Sequence, residues 1–349
     1  MRRRLIDILA CPICGNSFKI SINRLKKIAM TEEDLPECQT YCALICQDLA
    51  SFEKKKRAYS LCRDCYQEDI IDGMLECLEG HLYPIQKSIP RLNFRTNQEQ
   101  RTKKTFDVEW TVFRYGKEIY GHNEKEELQD FFQRMVIDEA FLRNKTVLDA
   151  GCGIGRLVGG VGCFAKEVIG IDFSNGVEEA WQKNRENPFI HIVQGDIMNL
   201  PFTPCSFDYV YSKGVLQYVI SVPSCIHRLA FVTKPSGGLS VTLYPKMSSF
   251  FEMVNQRVRQ VTTRLPLRTV YWLSYILIPL LPIIWKWSGI AKRSIGWNER
   301  AHMIFNWLSS EFQNGISGEE AIDLFRANGF TQIRMSTIPI GITGFKKSL

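Results

Sequence analysis

The chain has 349 residues, 45% hydrophobic and 23% charged, a balance that excludes an intrinsically disordered protein and allows a sizeable core. Its net charge of +7, from 44 Lys and Arg against 37 Asp and Glu, leaves an anionic membrane or a nucleic acid open as partner until the excess is located. Eight of the twelve cysteines fall in residues 1–77, a clustering that favours metal ligation over the dispersed disulfides of a secreted fold.

At the N-terminus an apolar stretch, Leu5 to Ala10, is interrupted by Asp7 and runs straight into Cys11. It is too short and too polar for a signal peptide, so the expected localisation is cytoplasmic, where thiols stay reduced. Cys11-x2-Cys14 and, about sixty residues later, Cys77-x3-His81 form two ligand pairs. Four N/S ligands with no open position suit a closed, tetrahedral structural zinc. The flanks Leu5-Ile-Asp-Ile-Leu-Ala-Cys-Pro-Ile-Cys-Gly15, Leu82-Tyr-Pro-Ile85 and Ile89-Pro-Arg-Leu92 resemble the Trm112-type zinc ribbon, with His81 standing where that family usually has a Cys. A Cys-x3-His second pair is similar to that of the bacterial 23S rRNA guanine methyltransferases, which carry a zinc module before a class I domain. Between the pairs, Cys38, Cys42 and Cys46 are four apart and expected on one helical face, and Cys62-x2-Cys65 is another knuckle. Cys42, Cys46, Cys62 and Cys65 are read as a second zinc set, against the alternatives that the helical cysteines are small core residues or that Cys62 or Cys65 competes for the first zinc.

Residues 95–144 are polar with helical patterning, including Phe106-Asp-Val-Glu-Trp110-Thr-Val-Phe113 and an amphipathic stretch from Leu128 to Leu142. From Lys145 onward strand-like runs alternate with helical segments: Thr146–Asp149, Glu167–Asp172, Ile190–Asp196, Phe207–Ser212 and Gly238–Tyr244. That alternation predicts an α/β fold with a doubly wound, mostly parallel sheet and a ligand crevice at the carboxyl ends of its strands. The expected organisation is a small zinc-binding domain over 1–94, a helical linker or lid over 95–144, and an α/β domain over 145–349 with a helical insert at 246–300.

Asp149-Ala-Gly151-Cys-Gly153-Ile-Gly155 follows the first of these strands and precedes a helix. Glycines make the tight turn there and let backbone N–H groups approach a ligand at a helix N-terminus. Asp172 ends the second strand, where a carboxylate can accept both hydroxyls of a ribose, and Asp196 ends the third, where it can meet an adenine amino group. A dinucleotide-binding dehydrogenase or a degenerate nucleotide fold is the competing reading, although its fingerprint is normally GxGxxG rather than GxGxG after an acid.

Val147-Leu-Asp-Ala-Gly-Cys-Gly-Ile-Gly-Arg156 resembles the first motif of the class I S-adenosylmethionine-dependent methyltransferases, and Phe207-Asp-Tyr-Val-Tyr-Ser-Lys-Gly-Val-Leu-Gln-Tyr-Val219 is similar to their fourth-strand motif. The resemblance covers residues 145–244 and 318–347 and implies a seven-stranded Rossmann-like sheet. By the same resemblance Asp149, Gly151, Gly153 and Gly155 hold the methionine end of the cofactor, Asp172 with Phe173 the ribose, and Asp196 with Ile197 the adenine. Ser212 lines the pocket, and Gln217 and Tyr218 face cofactor or acceptor. Lys234-Pro-Ser-Gly-Gly238 departs from the family in carrying an extra Ser within the usual Pro-Gly-Gly turn. The segment before the first motif is expected to cover the cofactor, with Trp110, Phe113 and Tyr115 as covering side chains and core packing as the alternative for each.

Segment 246–293 holds eight Lys and Arg against the single acid Glu252, so the rest of the chain is neutral and the entire charge excess resides here. Within it Val270 to Trp285 is uncharged but too short to span a bilayer, and Pro279 and Pro282 would break a helix. The run is expected to lie in a membrane interface with Tyr271, Trp272, Tyr275, Trp285 and Trp287 at headgroup depth and the flanking cations on anionic lipid. A buried cap over the acceptor, or cations on RNA phosphates, are the alternatives. Further on, Phe305 to Phe312 and a helix from about Ser317 to Asn328 look like an acceptor wall.

A hydroxyl acceptor needs a base. His191 and His227 read as structural, which leaves His122 and His302 as catalytic residues. The leading expectation is methyl transfer to a small, hydrophobic or lipid-linked acceptor at a membrane surface. An RNA base methyltransferase that grips its substrate with the zinc module is the second reading, and a non-catalytic cofactor-binding scaffold the third.

Overall fold

The computed structural model describes residues 1–28, 41–42, 47–48, 65–93, 100–112, 123–246, 249–280, 296–336 and 340–348. After a 3-10 turn at Arg3–Asp7, strand β1 (Phe18–Lys27) pairs antiparallel with β4 (Glu68–Cys77), β4 with β5 (Leu82–Gln86), and β5 with β6 (Ile89–Leu92). The excursion between β1 and β4 contains a hairpin of β2 (Tyr41–Cys42) and β3 (Gln47–Asp48), so Cys42 lies on a strand and not on the expected helical face. Cys38, Cys46 and Cys62 lie outside the described residues.

Helices α1 (Gln100–Val112), α2 (Glu124–Met135) and α3 (Glu139–Leu142) lead into the second half. Asn123 caps α2 in a capping box, and the helix stops where Val136 takes a left-handed conformation, so the amphipathic stretch is two helices and not one. Strand β7 (Thr146–Ala150), α4 (Arg156–Gly162), β8 (Glu167–Asp172), α5 (Val177–Asn184), β9 (Ile190–Gly195), β10 (Phe207–Ser212), α6 (Val222–Val232) and β11 (Thr233–Pro245) follow in strict alternation except for the turn between β9 and β10. Then come α7 (Ser249–Thr262), α8 (Leu267–Ile276), α9 (Trp297–Ser309), the short β12 (Gly315–Ile316), α10 (Gly318–Ala327), β13 (Phe330–Met335) and β14 (Ile340–Lys346). Ser317 caps α10 through a capping box with Glu320, one residue from where the sequence pattern starts that helix.

Seven strands, in the order β9-β8-β7-β10-β11-β14-β13, form the predicted α/β sheet, with β9 to β11 parallel and β14 and β13 antiparallel. Strand β11 begins at Thr233, five residues before the expected Gly238. The extra Ser236 sits at φ +59°, and the ladder skips between Phe207 and Tyr209.

The sheet does not stop at the boundary expected near residue 94. Strand β6 pairs parallel with β9, Arg91 opposite Gln194 and Leu92 opposite Gly195, so the N-terminal strands continue the same sheet. The core follows: Leu5, Leu9, Phe18, Leu75 and Tyr83 share one apolar cluster with Leu148, Ile169, Ile171 and Val193. A polar tie crosses the same boundary. Buried Glu167 accepts from His191 at 2.9 Å and pairs with Arg4 at 3.5 Å, and the Arg4 charge with the His191 hydrogen bond holds its carboxyl down at about 2 despite burial. His191 is therefore structural, as expected. Among the described residues no helix is long and apolar enough to cross a membrane.

Candidate functional site

The central strands β7 and β10 diverge in connection direction, which opens a crevice at their carboxyl ends. The cleft there is lined by Thr102, Phe106, Gly151, Asp172, Phe173, Asp196, Ile197, Met198, Val215, Tyr218, Val219, Ile220 and Phe312. Three acids mark the ends of β7, β8 and β9 in turn: Asp149 is the penultimate residue of β7, Asp172 the last of β8, and Asp196 the residue just after β9.

Asp172 does two jobs locally. Its carboxylate accepts from the Gly153 N–H at 2.9 Å and from the Ser174 N–H and hydroxyl at 2.8 and 2.6 Å, which ties the glycine turn to the end of β8. Burial raises its pKa above the ordinary carboxylate value. Asp196 caps the following 3-10 turn by accepting from Met198 N–H at 2.8 Å. Asp149 lies behind the cleft wall, where the Tyr211 hydroxyl donates to it at 2.9 Å, and burial pushes its carboxyl up to about 7.

That value sets a pH dependence whose sign can be worked out. A carboxyl raised above its unfolded value adds stability below the ordinary carboxylate range and loses it as pH rises through about 7. A cationic ligand beside Asp149 favours the ionised form, so affinity for a sulfonium cofactor is expected to strengthen from pH 6 to pH 8. Calorimetric titration across that range checks this. A flat profile in the wild type, or an unchanged slope in Asp149→Asn, would remove Asp149 from the site.

Of the ten residues expected at the cofactor, Gly151, Asp172, Phe173, Asp196 and Ile197 line the cleft. Gly153 and Gly155 shape the turn, with φ +53° and +73°. Ser212 does not line it: the side chain is fully buried and its hydroxyl donates to the Ala150 carbonyl at 2.6 Å, stitching β10 to β7. Gln217 is also buried off the cleft wall, while its neighbour Tyr218 lines it.

Helix α1 packs against the glycine turn, where a Cβ added at Gly153 would stand 2.7 Å from the Trp110 ring. Phe106, one turn earlier, packs on Phe173 and Tyr218 with ring centroids 5.9 and 5.3 Å apart, and Asp107 accepts from the Asn175 N–H at 2.7 Å. Phe113, Tyr115 and the base candidate His122 lie outside the described residues.

His302, the other base candidate, is buried on α9 and does not line the cleft; its Nε2 meets Glu109 of the cover helix at 2.7 Å and Asn306 at 3.2 Å. Glu109 is 193 residues away from that histidine, and no sequence spacing announces the pair. Of the apolar residues that line the cleft, Val215 and Val219 lie within the fourth-strand motif, whereas Met198 and Ile220 fall in turns that no motif singled out.

At the far end of the sheet Cys11, Cys14, Cys77 and His81 bring four ligand atoms within 4.8 Å of one another. Cys11 Sγ and Cys14 Sγ lie 3.6 Å from His81 Nδ1 and Cys77 Sγ respectively, and Cys77 Sγ is 3.2 Å from His81 Nδ1. A tetrahedral zinc with Zn–S bonds of about 2.3 Å sets its ligands about 3.7 Å apart, so the donor set fits that ion. The Gly15 and Gly80 N–H groups close the two knuckles onto the Cys11 and Cys77 carbonyls. Cys65, from the second expected set, is buried.

Comparison with known proteins bears on the cleft. Residues 148–241, from β7 to β11, match the methyltransferase domain family. The chain is 24% identical over 265 residues to a demethylmenaquinone methyltransferase of Geobacillus stearothermophilus, covering 72% of this chain and 100% of that protein. It is 34% identical over 125 residues to the malonyl-acyl-carrier-protein O-methyltransferase of Erwinia pyrifoliae, covering 35% of this chain and 47% of the other. A crystal structure of magnesium protoporphyrin IX methyltransferase from Synechocystis PCC 6803 with bound SAH is similar with a TM-score of 0.42 and 16% identity, over 70% of this chain and 98% of that one.

Proposed function

We propose that this chain, an S-adenosylmethionine-dependent methyltransferase, transfers its methyl group to a small hydrophobic or lipid-linked acceptor that reaches the enzyme from a membrane surface. The observation that carries the reading is the mixed lining of the cleft, which combines Asp172, Asp196 and Gly151 with the apolar Val215, Val219, Ile220 and Phe312. The polar groups suit a polar cofactor and the apolar ones an apolar acceptor. Relatives named for methylation of demethylmenaquinone and of a malonyl-acyl carrier protein support a quinone-like or lipid-like acceptor.

The motif resemblance supplies the roles: Asp172 and Phe173 would hold the ribose, Asp196 and Ile197 the adenine, and the turn at Gly151, Gly153 and Gly155 the methionine end, with Asp149 behind it; the bound cofactor would supply an electrophilic methyl. Phe106 and Trp110 exclude water over the site and keep the acceptor in line with that carbon. Tyr218 lines the cleft, and burial, with Tyr244 and Glu109 beside it, keeps its hydroxyl protonated, so it serves as a hydrogen-bonding group toward the acceptor and not as its base. Cys11, Cys14, Cys77 and His81 hold one structural zinc in a Trm112-like ribbon, away from the chemistry.

Incubation of the protein with labelled methyl donor and separated lipid and RNA fractions tests the reading. Label in a lipid or quinone fraction is the expected result. Label confined to RNA would overturn it in favour of base methylation.

A further inference from the structure

Helix α7 is packed inside out. Asn255 and Arg259 point inward and are 1% and 8% exposed, whereas Phe250, Met253, Val254 and Val261 face solvent at 61%, 54%, 42% and 62%. Those four and Arg257 share one helical face, at spacings of three, four, seven and eleven from Phe250. Helix α8 also exposes apolar side chains, although its inner face is apolar as well. Val270 and Ser274 are buried, and Tyr271 and Tyr275 pack against the cluster of Ala301, Ile304, Phe305 and Leu308 on α9, but Arg268, Trp272 and Ile276 stand outward, followed by Leu280.

This divides the uncharged run in two and corrects the sequence reading. One face is a buried cap, which includes Tyr271 and Tyr275; only Trp272 of the expected headgroup aromatics is exposed among the described residues, Trp285 and Trp287 lying outside them. The cations divide too. Lys246 pairs with Glu320, and Arg259 donates inward to the Ser310 carbonyl, so the outward ones among the described residues are Arg257, Arg264 and Arg268. The lone acid of the segment, Glu252, accepts from Gln256.

Single exposed apolar side chains need no explanation, but a helix that turns its apolar stripe outward while burying Arg and Asn, followed by a second with Trp272 and Ile276 exposed, does. We propose that the outer face of α7 and α8 docks on an anionic membrane, the apolar stripes entering the acyl boundary and Arg257, Arg264 and Arg268 resting on lipid phosphates. Both helices are too short to span a bilayer and suited to lying in its plane. A single-stranded nucleic acid would ask for stacking aromatics, and this face is mainly aliphatic.

The face is also placed to serve the cleft. On the inner side of α7, Asn255 donates to Gln313 at 3.0 Å and accepts from Trp307 at 2.8 Å, Arg259 holds Ser310, and Phe312 between them lines the cleft. One helix, about 10 Å across, therefore separates lipid from the acceptor wall. This delivery role rests on the apolar-acceptor reading above, whereas the docking itself does not.

The test uses the full chain with phosphatidylcholine vesicles, with and without phosphatidylglycerol, in a flotation assay at low and high salt. Wild type is expected to float with the anionic vesicles and to release them as salt rises. Each cation at such a surface is worth about fivefold, so the triple change Arg257→Gln, Arg264→Gln, Arg268→Gln should weaken binding by about a hundredfold. Trp272→Ser with Ile276→Ser should also detach the protein, and since all five positions are exposed, melting temperature and cofactor affinity should not change. No flotation of the wild type, flotation indifferent to both variants, or retention on RNA but not on vesicles would overturn the docking. Label in lipid without vesicle binding would retire the docking alone, and vesicle binding with label only in RNA would retire the acceptor alone.

Discussion

Gly151→Ala is expected to weaken S-adenosylmethionine binding by about a hundredfold. Gly151 sits at φ +98°, and a Cβ there would stand 2.4 Å from Val215 Cγ2, on the other side of the cleft floor. The conformation alone costs a non-glycine residue about 1–3 kcal/mol, and forcing Val215 aside costs roughly as much again. Relief by moving the turn would break the bonds of the Gly151 and Cys152 N–H groups to the Ile171 carbonyl, at 2.8 and 3.0 Å, and disturb the Gly153 donation to Asp172. Relief by moving Val215 would push it into the cleft it lines. About 3 kcal/mol charged against the bound state is the hundredfold loss. Calorimetry checks it, with a melt to show that the variant folds. Val215→Ala added to Gly151→Ala should recover the steric part and leave the conformational part. Unaltered affinity in the single variant would mean that the turn does not meet the cofactor.

Cys77→Ser is the second large effect, this time on stability. Metal analysis of the wild type is expected to give at least one zinc per chain, and the variant should hold substantially less. Because β4 runs through β5 and β6 into β9, and because the N-terminal apolar residues share a cluster with the central strands, the ribbon cannot loosen alone. The cost should be on the order of 4 kcal/mol, in the range that only losses such as a metal or a large cavity reach, and should appear as a melting temperature lower by roughly 10 °C in one cooperative transition. A chelator should reproduce it in the wild type. A metal-free wild type that melts at the same temperature would sink the zinc assignment.

The strands of the α/β half could be read directly. Glu167–Asp172 and Phe207–Ser212 begin and end where the apolar runs do, because every residue of a central parallel strand except Asp208 is buried and hydrophobicity is then nearly continuous. The glycine turn was legible for a similar reason: backbone at positive φ and acids at strand ends leave marks in residue type. The metal quartet was legible from two pairs alone, since each knuckle is a local turn. What failed was non-local. Nothing in Leu92 or Gly195 says that they are neighbours in a ladder, and nothing near Ser212 says that its hydroxyl is spent on Ala150. His302 looked like a free base because its partner Glu109 comes from the cover helix.

The sequence by itself determined the alternation of strand and helix, the glycine turn, the Cys/His quartet, and the confinement of the whole charge excess to 246–293. Those are properties of composition and short spacing, which local chemistry writes into the chain. Tertiary structure alone decided that the N-terminal strands and the α/β sheet are one sheet, and which side of an apolar helix is the inside. Tyr271 and Trp272 are adjacent and equally suited to an interface, yet one packs on α9 and the other faces out at 65% exposure. Helical residues one apart point about 100° from each other, and only the position of the neighbouring helix selects which of the two is buried.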